Sequence, residues 1–131
     1  MKNKNEVENL IKGAYDLHIH AFPDLQPRKL DALEMVKEAR EAGMAGCLLK
    51  DHCFPTTDRA YLLNKVFPDF QVFGAIVLNY PTGGLNPATV EAAIKMGAKQ
   101  VYMPTFAAAN QLRKAGDANL FSPYPLLKNR S

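Results

Sequence analysis

Apolar and polar positions along this chain alternate between two spacings. Ala14-Tyr15-Asp16-Leu17-His18-Ile19-His20 is a strand-length run with a period of two, and a proline-containing loop follows it. From Leu30 to Ala42 the apolar residues Leu30, Leu33, Val36, Ala39 and Ala42 recur at helical spacing, with Glu34, Lys37, Glu38 and Glu41 elsewhere. That spacing predicts an amphipathic helix, and Gly43 is placed to end it in a left-handed cap. Gly46 to Lys50 reads as a short apolar strand. Thr57 or Asp58 can cap a helix running to about Val66, which Pro68-Asp69 breaks. Phe70 to Leu78 is the longest apolar run and predicts a third strand. Asn86-Pro87 reads as the cap and first residue of a helix that stops at Gly97. Lys99 to Met103 is a fourth strand, and Phe106 to Ala115 a fourth helix.

Ala42-Gly43-Met44-Ala45-Gly46-Cys47-Leu48-Leu49-Lys50 resembles Met96-Gly97-Ala98-Lys99-Gln100-Val101-Tyr102-Met103-Pro104. In each, a helix ends on glycine and a strand follows within about three residues, the short connection of an α/β unit. Strands recur about every 27–30 residues, the length of one strand-plus-helix unit in a parallel sheet. The fold class is therefore α/β, built from about four parallel (β/α) units. An open doubly wound sheet and a half or truncated TIM-like barrel both remain open, since a full barrel takes about 250 residues. Residues 1–116 make this domain. Residues 117–131, with Pro123 and Pro125 among Leu120, Phe121, Leu126 and Leu127, read as an irregular tail packed on an edge or another subunit.

Composition narrows the function classes. The 131 residues suffice for one modest domain, and 47% apolar with 22% charged residues is ordinary for a globular protein. A net charge of +3, spread along the chain, is too small for a nucleic-acid footprint. No apolar run is long enough for a membrane span, and the first residues lack the apolar stretch of a secretory signal. Cys47 and Cys53 form neither a disulfide framework nor a paired zinc motif, so a cytoplasmic setting is expected.

The candidate chemistry lies at strand ends. Alternation along the first strand places Asp16, His18 and His20 on one face, and Leu17 and Ile19 on the other, buried against helices. Two neutral imidazoles at that separation can chelate a divalent metal; satisfied structural histidines are the plain alternative. The second strand ends Leu48-Leu49-Lys50-Asp51-His52, which offers His52 as a third ligand. Strand parity puts Lys50 on the His52 face and Asp51 on the other, unless the strand has already turned into loop. Lys50 can act as a base, form a metal-bridging carbamate, or simply pair with Asp16 or Asp24. Asp24, in the loop after the first strand, can reach the same mouth or serve as a turn residue. Backbone amides at Gly83, Gly84 and Asn86 can bind an anion, or form a glycine turn feeding an N-cap. Arg28, Lys29 and Arg59 can add charge toward an anionic substrate, although each also reads as a solvated helix-end residue. Cys53 reads as a buried thiol rather than a ligand. Tyr80 and Asn79 are placed to line a pocket, and Met35, Met44, Met96 and Met103 sit where core residues belong.

Asp16-Leu17-His18-Ile19-His20 with Leu49-Lys50-Asp51-His52 resembles the first two motifs of metal-dependent hydrolases of the amidohydrolase and PHP type. Thr57-Asp58-Arg59-Ala60-Tyr61, Gly74-Ala75-Ile76-Val77-Leu78-Asn79, Gly83-Gly84-Leu85-Asn86-Pro87 and Met103-Pro104-Thr105 extend the likeness. Together they look like a group of uncharacterised amidohydrolase-like proteins, usually about twice this length, over roughly residues 10 to 115.

The resemblance implies a distorted barrel holding one to three divalent metals, zinc first, with manganese or iron as alternatives. His18, His20 and His52 carry over as metal ligands. By their position near these ligands, Asp24, Lys50 or Asp51 is the candidate auxiliary ligand or proton carrier for attack of an activated water on a small ester, amide, lactone or phosphoester. Such barrels also draw ligands from later strands, and no histidine follows His52. The expected reading is a metal-dependent hydrolase acting on a small molecule. The alternative is a catalytically incomplete metal-binding fragment or module. Four strands leave open sheet edges, so self-association or a missing C-terminal half is expected.

Overall fold

A computed structural model describes residues 4–115. The elements run α1 (Lys4–Ile11), β1 (Tyr15–Ile19), α2 (Ala32–Glu41), β2 (Gly46–Leu49), α3 (Thr57–Val66) and β3 (Gln71–Val77). A 3-10 turn (Tyr80–Thr82), α4 (Pro87–Lys95), β4 (Gln100–Tyr102) and α5 (Ala109–Ala115) follow among the described residues. All four strands are parallel and lie in the order β1-β2-β3-β4. The sheet is curled into a half-barrel. Although β1 and β4 are its outermost strands, the Tyr102 hydroxyl donates to the Leu17 carbonyl at 3.0 Å. The expectation of about four parallel units in a truncated barrel therefore holds. Helix α1 was not anticipated, and the tail at 117–131 lies outside the described residues. No helix among the described residues is long and apolar enough to cross a membrane.

Local chemistry starts the helices. Asp31 caps α2 by accepting from the Glu34 N–H at 2.8 Å, while the Glu34 carboxylate accepts from the Asp31 N–H at 3.0 Å. This reciprocal pair stabilises the helix start by about 1 kcal/mol. Asn86 caps α4 through the Ala88 N–H, with Pro87 in the first turn, as the sequence predicts. Helix α3 differs. Its N-cap is Thr56, which makes no side-chain cap, rather than Thr57 or Asp58. The Thr56 hydroxyl instead donates to the Leu49 carbonyl at 2.6 Å and accepts from the Ala75 N–H at 2.8 Å. It thereby locks the start of α3 to β2 and β3. That contact requires Gly74, where an added Cβ would lie 2.7 Å from the Thr57 Cα.

The core lies between the sheet and its helices. Met35, Val36, Cys47, Leu49, Ala60, Leu63, Phe70 and Val72 form one cluster; Ile76, Leu78 and Ala93 form a second. Burying each large member contributes about 1.5–3 kcal/mol. Three apolar expectations fail: Leu17 is 62% exposed, Met96 62% and Met103 66%. Met96 is the C-cap of α4 and Met103 follows the last residue of β4, so both fall where these elements have ended.

Leu17 is exposed where the ladder is irregular. Asp16 pairs with Cys47 and Ile19 with Leu49, so three steps along β1 match two along β2. One residue is extra, as in a bulge, and it breaks the alternation between faces. Asp16 shares the side of Cys47, a helix-side residue, and not the face of His18. Its carboxylate accepts from the His18 N–H at 2.9 Å, which holds the irregularity in place.

Candidate metal centre

Parallel strands deliver their following residues to one rim. His20 follows β1, Lys50-Asp51-His52 follows β2, Asn79 lies just beyond β3, and Thr105 just beyond β4. The three imidazoles do meet there. His18 and His20 approach with their Nε2 atoms 3.4 Å apart, and the His20 and His52 rings stack with centroids 4.6 Å apart. A tetrahedral metal with bonds of about 2.0–2.1 Å to nitrogen holds its ligands about 3.3–3.4 Å apart. The His18–His20 spacing equals such an edge but is made by His20 Nε2, whereas His20 Nδ1 is the nitrogen that lies 3.5 Å from Asp24 Oδ2.

Asp24 completes the cluster. One ligand atom from each of His20, Asp24 and His52 lies within 4.8 Å of the other two. Three atoms so spaced lie within about 2.8 Å of a common centre, so each needs to move less than about 1 Å to reach bonds of about 2.0–2.2 Å. Among the described residues, three buried side-chain polar atoms lack a hydrogen-bond partner, and two of them are here: Asp24 Oδ1, and His20 Nδ1, which lies 3.5 Å from Asp24 Oδ2. Such orphans are rare in folded proteins and need a partner. Two imidazoles and a carboxylate form a donor set suited to zinc, manganese or ferrous iron, so the residues fit a divalent cation.

Electrostatics keep these donors ready. Burial pushes His20 down to about 4, with the charges of His52, Arg28 and Lys50 adding to it and Asp24 opposing. His52 is lowered by burial and then by Lys50. Both imidazoles are therefore neutral at pH 7, with a lone pair available. Burial works against ionising Asp24, but its hydrogen bond to Arg28 and the Arg28 charge outweigh that and hold it below the ordinary value. Arg28 Nε lies 2.7 Å from Asp24 Oδ2, so Arg28 orients the carboxylate rather than standing free in solvent.

His18 and Lys50 form the flank. Lys50 Nζ is 3.1 Å from His18 Nε2 and 4.5 Å from the centre of the Tyr102 ring, and burial lowers its pKa. Among the described residues it has no ion pair with Asp16 or Asp24. An ammonium donating into His18 Nε2 occupies the lone pair that a metal would need. His18 is accordingly the outer member of the set.

Asp51 is not brought into the cluster. The strand has ended at Leu49, and the Asp51 carboxylate turns to accept from the Cys53 and Phe54 N–H groups at 2.7 and 3.1 Å and to pair with Arg59. It closes its own loop. Gly83, Gly84 and Asn86 likewise direct their amides inward, to the carbonyls of Tyr80, Asn79 and Gly84. Positive φ angles at Gly83 and Gly84 make the tight turn, so those donors are unavailable to an anion. Cys53 is a free thiol raised by burial.

Asn79 and Thr105 are the residues the sequence undervalued. Asn79 is fully buried; its Oδ1 accepts from the Thr105 and Ala107 N–H groups at 2.9 and 3.1 Å. Its Nδ2 donates to the His52 carbonyl at 3.0 Å and the Thr105 hydroxyl at 2.9 Å. Thr105 Oγ1 in turn lies 3.1 Å from His52 Nδ1. The signal available in sequence was an asparagine closing the apolar run from Val72 to Leu78, where a buried amide must find partners.

Residues 13–130 match the model of a family of unknown function, DUF6282. No curated protein and no solved structure matches the chain.

Proposed function

The chain belongs to the DUF6282 family, and we propose that it is a metal-dependent hydrolase whose cation sits among His20, Asp24 and His52, with His18 at its edge. The observation that carries this is the half-buried convergence of two neutral imidazoles and an ionised aspartate, with two polar atoms lacking a hydrogen bond, at the carboxyl rim of a parallel sheet. That rim is where parallel α/β folds hold their ligands. The ordered likeness to amidohydrolase and PHP motifs supports the same reading.

When bound there, a divalent cation supplies an acidified water and polarises the electrophile. The chain's own groups do the rest. His20 and His52 present lone pairs, and Asp24, aimed by Arg28, presents a negative oxygen. Lys50 Nζ, beside His18 Nε2, is placed to hold or pass a proton at the edge of the site. Lys50 and Arg28 also leave the mouth with cationic character, which suits a small substrate bearing a carboxylate or phosphate. Zinc is the first cation to try.

The test is metal uptake by the full chain, followed by a panel of phosphoester, amide and lactone substrates. Stoichiometric zinc or manganese binding is expected, weakened at least 100-fold by His20→Ala and Asp24→Asn, together with turnover that both variants abolish. Tight metal without hydrolysis of any class supports a binding module instead. Failure to bind any divalent transition metal overturns the proposal.

A further inference from the structure

The His52 ring is packed but not yet oriented by that packing. Its centroid is 4.6 Å from that of His20 and 4.3 Å from that of Phe106. Stacking fixes the ring plane; it does not choose which nitrogen faces the cluster. A hydrogen-bond chain lies behind the ring, on its Nδ1 side. Asn79 has one permitted orientation, because two backbone N–H groups donate to its Oδ1 and only oxygen can accept them. Its Nδ2 must therefore donate to Thr105 Oγ1. The Thr105 hydroxyl, which keeps a second lone pair and its own proton, lies 3.1 Å from His52 Nδ1; with a cation on Nε2, Nδ1 must carry the ring proton and Thr105 accept it.

Resting on the metal reading above, we propose that Thr105 is a positioning residue that holds the His52 proton on Nδ1 and so turns the Nε2 lone pair toward the cation, with Asn79 anchoring the hydroxyl. A neutral imidazole carries one ring proton, and seating it on Nδ1 fixes both tautomer and orientation. Asn79 also holds the Thr105 and Ala107 amides, so the hydroxyl stands on a braced loop. Thr105 thus acts through His52 rather than on the substrate.

Thr105→Val removes the hydroxyl while keeping its shape, and Thr105→Ser returns it. The apparent zinc affinity of the full chain is measured by competition with a chromophoric chelator at pH 7.5. Nitrogen-15 shifts of the zinc-loaded protein report which His52 nitrogen is metallated, and urea midpoints report stability. The expected results are a 10–100-fold loss of affinity in Thr105→Val, recovery of most of it in Thr105→Ser, and a metallated Nε2 with protonated Nδ1 in the wild type. A lower urea midpoint with unchanged zinc affinity would mean that the hydroxyl only stabilises the loop, and would overturn the proposal. Metallation through Nδ1 would overturn it too. A wild type that takes up no zinc fails the metal reading and this inference together, whereas equal affinities in wild type and Thr105→Val fail this inference alone.

Discussion

Replacing Asn79 by alanine should be among the most damaging single changes available at the rim. Four hydrogen bonds disappear with the amide: two to the backbone N–H groups of Thr105 and Ala107, one to the His52 carbonyl and one to the Thr105 hydroxyl. The side chain is fully buried, so water does not simply replace it. A stranded buried polar group costs about 1–3 kcal/mol, and the loops after β2 and β4 can relax to recover part of this, which leaves a net loss of about 3–5 kcal/mol. Against a total stability of about 5–15 kcal/mol, that is a large fraction. Urea unfolding at pH 7.5 with chelator present is the assay. With a slope of about 1–3 kcal/mol per molar urea, the midpoint should fall by about 2 M. Native-state exchange of the Thr105 and Ala107 amides should accelerate alongside it. Asn79→Asp keeps the acceptor but turns a negative oxygen toward the His52 carbonyl, so it should fare little better. A loss below about 1 kcal/mol in Asn79→Ala, with those amides still protected, would refute the bracing role.

Metal-free stability should fall as the solution is acidified from pH 7 toward 4. The folded state holds His20 near 4 against an ordinary 6.5, so below 6.5 the unfolded chain takes up a proton that the folded chain refuses. His52 shifts in the same direction, while the stability from Asp24, which is lowered, is lost only at still lower pH. For His20 the loss amounts to about 2 kcal/mol after allowance for solvent screening, read from urea midpoints in chelator, and a flat profile between pH 7 and 4.5 would contradict the burial. Gly74→Ala should lower stability by about 1–3 kcal/mol, because the new methyl meets the Thr57 backbone; at Gly84, with φ +67 and open space, alanine should cost about 1 kcal/mol. Thermal unfolding of the two variants side by side checks the order. Asp51→Asn should leave zinc uptake unchanged while loosening the 51–54 loop by about 1–2 kcal/mol, and a loss of metal affinity there would return Asp51 to the site.

The repeating unit was legible because local rules and tertiary packing agree. Glycines at 43 and 97 end helices with positive φ, and Asn86-Pro87 starts one. Leu49, Val72 and Ile76 are apolar because helices cover them. The meeting of His18, His20 and His52 was legible for a simpler reason, since parallel strands must end on the same rim. What could not be read was set by partners distant in sequence. The slip at Asp16 is defined by its register against β2, and alternation within β1 carries no trace of it. Asp24 was visible only as a loop acid, because its place beside His20 depends on Arg28 and on how the loop returns. Asp51 could be assigned to one face only while β2 continued, and β2 stops two residues earlier. Asn79 and Thr105 belong to different units and acquire their roles only when three loops share one buried amide.

The tyrosine that spans the hollow of the sheet has a mechanical consequence. Tyr102 grips the Leu17 carbonyl, lies 5.5 Å ring to ring from His18, and carries Lys50 over its face. It works as a crossbar, clamped at one end to the last strand and at the other to the peptide immediately before the first histidine. A push that shifts β4 is therefore levered onto the His18–Lys50 pair through Tyr102 while it reaches His52 through Thr105.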